Sequence, residues 1–226
     1  MEQMKLKDRL SAKVQTLQTT PALPSSDYLA LNGSTLDLIH ENLKDQPLTY
    51  QMFDIVKSPS GGSTVFTVPG LAGEEAEKEL TGIILDYTLP RAYWSTPDPV
   101  EGTPPTCLSH NSLVSGAKAC KESVLLFLLR PGNVLPLLVR VPVTSKGLFL
   151  KYTARLTSTL TPLNGVVTRI SLKKATSRGG KPYALFHFEA VSALSPEEAA
   201  SAKAFAKQFM EAVKASEAMP KLEAAG

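Results

Sequence analysis

Cations interleaved with aromatic rings are the feature of this 226-residue chain best suited to engaging another molecule. Residues 118–190 hold twelve basic side chains: Lys118, Lys121, Arg130, Arg140, Lys146, Lys151, Arg155, Arg169, Lys173, Lys174, Arg178 and Lys181. Only two acids, Glu122 and Glu189, oppose them, and Phe127, Phe149, Tyr152, Tyr183, Phe186 and Phe188 lie among them. Single-stranded nucleic acid asks for this combination, because cations track phosphates while rings offer bases a stacking surface indifferent to sequence. The other role open to the same residues is structural, with the charges solvating a sheet and the rings filling its core. The overall charge conceals the block: residues 21–69 carry −3 and 70–117 carry −5, so a local +10 averages to a net +3.

Other chemistries lack their residues. His40, His110 and His187 are scattered without metal-ligand spacing, and no phosphate-binding glycine loop or nucleophile elbow is present. Glu74, Glu75, Glu77 and Glu79 cluster beside glycine without a histidine, which reads as solvated surface. The expectation is a protein that is not an enzyme and carries no cofactor. Cys107 and Cys120 bracket a short loop; a structural zinc site wants four ligands, and His110 supplies at most a third, so no metal is expected. Free buried thiols, a reducible disulfide and a metal-bound pair all stay open for these two cysteines.

Composition is that of a globular chain, 43% hydrophobic and 20% charged, which excludes wholesale disorder and a disulfide scaffold. Residues 1–15 are charged throughout, without the apolar core of a secretory leader, so a cytoplasmic protein with reduced thiols is expected. The longest apolar run, 124–129, is too short to span a bilayer, and no membrane partner is expected.

The elements that must carry the cations follow from periodicity and turn chemistry. Residues 1–20 read as a short helix or arm before Pro21 and Pro24, and 58–63 as a loop. Strands are predicted at 64–68, 80–89, 123–130 and 134–141, with the acidic stretch 69–79 as a loop or solvated helical turn and 90–111 as a long proline-rich connection. Pro131-Gly132-Asn133 turns the last two strands, and Pro136 argues for an edge or bulge in the second. From Ser145 the period lengthens to about four, predicting a helix capped by Thr144 or Ser145, with Leu148, Tyr152, Leu156 and Leu160 on one face. Strands at 166–174 and 183–191 then flank a basic hairpin tip, 177–182. Phe186 and Phe188 should serve the core together, leaving Tyr183 and His187 facing outward. Ser195-Pro196-Glu197-Glu198 is a capping box opening a helix to about residue 218, with Ala202, Phe205, Ala206, Phe209 and Val213 on one face.

Three strands, a helix and a two-stranded hairpin is the element order of the OB fold. The expected class is α+β, mainly β: an OB-fold-like barrel with an inserted helix, a long proline-rich loop and a C-terminal amphipathic helix. Residues 1–63 form an N-terminal arm and irregular region, 64–192 the OB-like domain and 193–226 the C-terminal helix.

A succession of short motifs adds a resemblance. Leu80-Thr81-Gly82-Ile83-Ile84-Leu85, Ala92-Tyr93-Trp94, Gly102-Thr103-Pro104-Pro105-Thr106-Cys107-Leu108-Ser109 and Gly116-Ala117-Lys118-Ala119-Cys120-Lys121 are followed by the strand to Arg130 and by Leu135-Pro136. The order continues through Val141-Pro142-Val143-Thr144-Ser145-Lys146 and Val167-Thr168-Arg169-Ile170-Ser171-Leu172. Over residues 64–192 this resembles a family of phage and mobile-element proteins regarded as single-stranded-DNA-binding-like. The family's ribbon-like insert carries four cysteines. Here His110-Asn111-Ser112 stands in place of its Asp-Gly element and the middle Cys-x-x-Cys pair is absent, leaving Cys107 and Cys120.

Residues and resemblance lead to one expectation, a phage-encoded protein binding single-stranded DNA with little sequence preference, in replication or recombination. Lys151, Arg155, Arg169, Lys173, Lys174, Arg178 and Lys181 would meet phosphates, and Tyr183, Tyr93 and Trp94 would stack on bases. The alternative is a phage protein that binds and inhibits or redirects a host complex, a polymerase or defence system, through acidic residues 70–101 and the loop holding Trp94. An oligomer is compatible with either.

Overall fold

The computed structural model describes residues 33–44, 46–56, 59, 61–70, 72–93, 107–108 and 121–217. Helix α1 (Gly33–Asn42) and a two-residue strand β1 (Ile55–Val56) precede a hairpin of β2 (Phe66–Gly70) and β3 (Gly73–Glu77). Strand β4 (Glu79–Thr88) follows, then the short strands β5 (Arg91–Tyr93), β6 (Cys107–Leu108) and β7 (Lys121–Glu122). After these come β8 (Val124–Leu129), β9 (Leu137–Val141), helix α2 (Val143–Ser158), β10 (Val166–Thr176), β11 (Pro182–Ala193) and helix α3 (Pro196–Glu217).

The fold is mixed α and β, mainly strand, around a six-stranded sheet of order β1-β9-β8-β4-β10-β11. Among the described residues of this sheet only the β1–β9 pair is parallel. Within that sheet three strands, a helix and a hairpin come in the order β4, β8, β9, α2, β10 and β11, but the sheet is open, which corrects the expected OB-fold-like barrel. Among the described residues the two edge strands, β1 and β11, are not paired with each other: β1 pairs only with β9, and the outer side of β11 carries other groups. There the Phe186 amide donates to the Ser145 hydroxyl at 3.0 Å and Gly62 lies against Pro182, while on the inner face the Phe66 ring of β2 packs edge-on at 5.7 Å from the Phe186 ring.

Each face of the sheet holds an apolar layer. The inner layer joins Val124, Leu126, Val139, Ile170, Phe186 and Phe188 to Phe66 and Val68 of the β2–β3 hairpin and to Phe149, Tyr152 and Leu156 of α2. The outer layer joins Ile83, Leu85, Phe127, Leu138 and Val167 to Phe205, Phe209, Met210 and Val213 of α3 and to Ile39 of α1. Packing therefore runs across both expected boundaries, since α1, β1 and α3 share these layers with residues 64–192. At Gly82 the strands approach so closely that a Cβ would stand 2.3 Å from the Leu129 carbonyl oxygen, so no side chain fits there.

Several local expectations shift. The acidic stretch is strand β3, not a loop, because β2 offers it a pairing edge and Glu77 takes Arg130 in a two-pronged ion pair at 2.9 and 3.0 Å. Pro136 falls just ahead of β9, and Gly132 takes the positive φ of +74° that the turn before it requires. Helix α2 is capped by Pro142, not by Thr144 or Ser145, and its buried face is Ser145, Phe149, Tyr152 and Leu156. Leu148 and Leu160 are exposed. At its end the Thr161 amide reaches the Leu156 carbonyl at 3.0 Å and the Leu160 amide the Thr157 carbonyl at 2.9 Å, a Schellman closure that puts Leu160 at φ +55°. Helix α3 opens as its sequence demands, with Glu198 N–H donating to Ser195 Oγ and Ser195 N–H to Glu198 Oε2. Among the described residues no helix is long and apolar enough to cross a membrane.

Candidate nucleic-acid interface

The last hairpin outgrows the sheet that carries it. Strand β10 pairs with β4 only from Val167 to Ser171, while its pairing with β11 continues through Leu172↔Phe186, Lys173↔Leu185, Lys174↔Ala184, Ala175↔Tyr183 and Thr176↔Pro182. Each strand side chain alternates in direction, so two different surfaces result. Leu172, Ala184, Phe186 and Phe188 belong to the inner layer beneath α2. Arg169, Ser171, Lys173 and Ala175 face outward with Tyr183, Leu185, His187 and Glu189. The helices α1 and α3 reach this outward surface only near Val167 and Val191. Tyr183, Leu185 and His187 are half-buried in a row along β11, with Lys173 exposed beside them.

Five residues close the hairpin. The Ser177 amide donates to the Lys181 carbonyl at 2.9 Å, the Gly180 amide to the Ser177 carbonyl at 3.0 Å, and the Lys181 amide to Ser177 Oγ at 3.0 Å. Gly180 takes φ +77°, a conformation without penalty only for glycine. The closure leaves Arg178 and Lys181 exposed. Lys173, Arg178 and Lys181 form no ion pair with any described residue.

Not every predicted contact joins them. Lys174 is exposed but points to the inner side, opposite Ala184. Lys151 and Arg155 are exposed on α2, which lies across the inner face with Phe149, Tyr152 and Leu156 turned inward, so the sheet separates them from Lys173. Arg169 faces outward but is engaged by two carboxylates, Glu189 at 2.9 Å and Glu79 at 3.7 Å. Tyr93 pairs with Cys107 in the small sheet β6-β5-β7, beyond the last residues of β4. Because β10 runs antiparallel to β4, the hairpin tip lies past the opposite end of that strand. Trp94, His110, Lys118 and Cys120 lie outside the described residues.

Other cations of the basic block serve the fold. Glu122 receives Arg91 Nε at 2.7 Å on one oxygen and Lys146 on the other, tying β7 to β5 and to α2. These two partners hold its carboxyl below the ordinary value of 4.5. Arg130 is spent on Glu77. The residue that sequence reasoning passed over is Leu185; its odd-numbered place between Tyr183 and His187 was the available signal.

One groove opens elsewhere, about 620 Å³, between α3 and β4, lined by Leu85, Asp86, Asn164, Lys203, Lys207 and Lys214 among others. Asn164 Oδ1 is buried there without a hydrogen-bond partner. Among the described residues no group of three or more histidine, cysteine or acidic side chains is arranged to hold a metal ion. Compared with protein-family models, with curated proteins and with solved structures, the chain matches none.

Proposed function

We propose that this protein binds single-stranded DNA with little sequence preference, as a phage-encoded factor acting in replication or recombination inside the host cytoplasm. The observation that carries the reading is the outer surface of the β10–β11 hairpin, where unpaired Lys173, Arg178 and Lys181 border the row Tyr183, Leu185 and His187. No acid occurs between Glu122 and Glu189, so nothing on the distal hairpin opposes a phosphate. In an OB fold the loop between the last two strands is one of those that grip oligonucleotides, and the face of the second and third strands is another. Here the strands in that second and third place, β8 and β9, have their outer face covered through Phe127 and Leu138, which favours the hairpin in this reading.

Fluorescence anisotropy of labelled oligothymidylate across a salt series tests this. Three cations neutralising three phosphates give a slope of log K against log salt of about −2. Lys173→Ala, Arg178→Ala and Lys181→Ala combined should abolish most of the binding and flatten that slope. No binding at low salt, or unchanged affinity in the triple variant, overturns the assignment. In the first case the exposed acids Glu74 and Glu75 on β3 become the surface to pursue, by pull-down from host lysate.

A further inference from the structure

The outward surface of the hairpin is a ladder of side chains whose register is explicit. From the tip inward the rungs are Ala175 and Tyr183, then Lys173 and Leu185, then Glu79, Ser171 and His187, then Thr81, Arg169 and Glu189. Successive rungs on one face are separated by two residues, about 6.8 Å. Tyr183, Leu185 and His187 thus present three evenly spaced side chains on the edge strand, two rings with an apolar residue between them, and the character of the surface changes immediately afterwards. Arg169 there is clasped by Glu189 at 2.9 Å and Glu79 at 3.7 Å, and the trio carries a net negative charge. One rung further in, Val167 lies under the outer apolar layer.

We infer that the strand-binding track is short, about three bases along β11, with Tyr183 and His187 as the stacking rings and Leu185 as an apolar contact between them, and that the Glu79–Arg169–Glu189 group ends it. This rests on the nucleic-acid reading above and adds to it the length and the boundary of the site. A phosphate advancing past His187 meets Glu189, with Glu79 flanking from β4 on the His187 rung; both carboxylates are half-exposed, at 52% and 51%, and their cation is already engaged. Arg169 is then a positioning residue that holds the acids in place, not a phosphate contact. The tip, with Arg178 and Lys181, is the open end, so a longer strand leaves the protein there.

The experiment uses the full chain and oligothymidylates of increasing length. In the wild type, affinity should rise with length and level off early. Glu79→Gln with Glu189→Gln keeps the shape of both side chains while freeing Arg169. It should raise affinity for the longer oligomers about five- to tenfold, move the plateau to greater length, and steepen the salt slope by about 0.7 for the phosphate gained. Glu189→Gln alone should shift in the same direction by less, which keeps the test intact should the double variant fold poorly. Glu74→Gln with Glu75→Gln removes the same charge from β3 and should leave the plateau length where it was. Binding that persists with an unmoved plateau in both Glu189 variants overturns the boundary and leaves the DNA-binding reading standing. A plateau moved equally by the β3 control also overturns it. Absence of binding by the wild type removes the reading beneath it.

Discussion

Tyr152 of α2 is the buried group whose removal has the most sharply defined consequence. Its hydroxyl shares a 2.7 Å hydrogen bond with Thr168 Oγ1, and Thr168 is fully buried while the tyrosine is 6% exposed. Its ring stacks on Phe188 with centroids 5.9 Å apart. Tyr152→Phe keeps the ring and strands the threonine hydroxyl in the core, so at neutral pH it should cost about 1–3 kcal/mol. Burial, outweighing the Thr168 bond, pushes the phenol from 10.0 up to about 12. The folded state therefore retains this proton at a pH where the unfolded state has lost it. Its share of stability is complete below pH 10 and is lost as pH rises from 10 to 12, reaching about 2.7 kcal/mol for two units. The phenylalanine variant has no such loss. Urea unfolding followed by far-UV circular dichroism should therefore show wild type ahead near pH 8 and the variant overtaking or matching it near pH 11.5. Every other group is the same in both proteins, so the difference between them is diagnostic. A gap that stays constant from pH 8 to 11.5 would refute the buried-phenol argument, and a variant equal to wild type near pH 8 would refute the hydrogen-bond argument.

Two further outcomes follow from local geometry. Leu160 occupies a left-handed conformation at φ +55° while 93% exposed, so Leu160→Gly relieves backbone strain without uncovering core; a gain of about 0.5–1 kcal/mol in urea unfolding is expected. Glu122, whose carboxyl is held low by Lys146 and Arg91, contributes stability that is present above pH 4.5 and lost as pH falls through its folded value. Glu122→Gln should cost about 1 kcal/mol at pH 7 and leave the acid-unfolding curve shallower below pH 4.5, read by circular dichroism.

Elements with a strong internal period were legible before any coordinates. Strands β4, β8, β10 and β11 and the capped helix α3 stand within a few residues of their expected places, because apolar spacing and the Ser195–Glu198 box are local properties. Strand β1 was not legible. It is two residues long and exists because β9 offers a parallel edge, a cause that lies some eighty residues away in sequence. Strand β3 was hidden by its glutamates, which read as solvated turn until β2 and Arg130 are set beside them. Ser145 looked like a helix cap, since caps are the usual place for serine ahead of an apolar run, yet its hydroxyl is drawn inward by an amide forty-one residues later. The candidate site was half legible for the same reason. Alternation along β11 is local and separated Tyr183 and His187 from the phenylalanines; the division of the cations between two sides of a sheet depends on topology, which spacing alone does not encode.

That inward-turned serine also bears on how the molecule avoids its own kind. Strand β11 is a twelve-residue edge, long enough to template the addition of a foreign strand. The Phe186 amide midway along it is already committed to Ser145, and Gly62 crowds its start at Pro182. An incoming strand would have to strip a buried hydrogen bond and lift both α2 and the segment before β2 to build a continuous ladder. At the opposite edge β1 offers only two residues. Edge-to-edge growth of the sheet, the usual route from a folded β protein to aggregates, is therefore obstructed at one side by a hydroxyl and at the other by brevity.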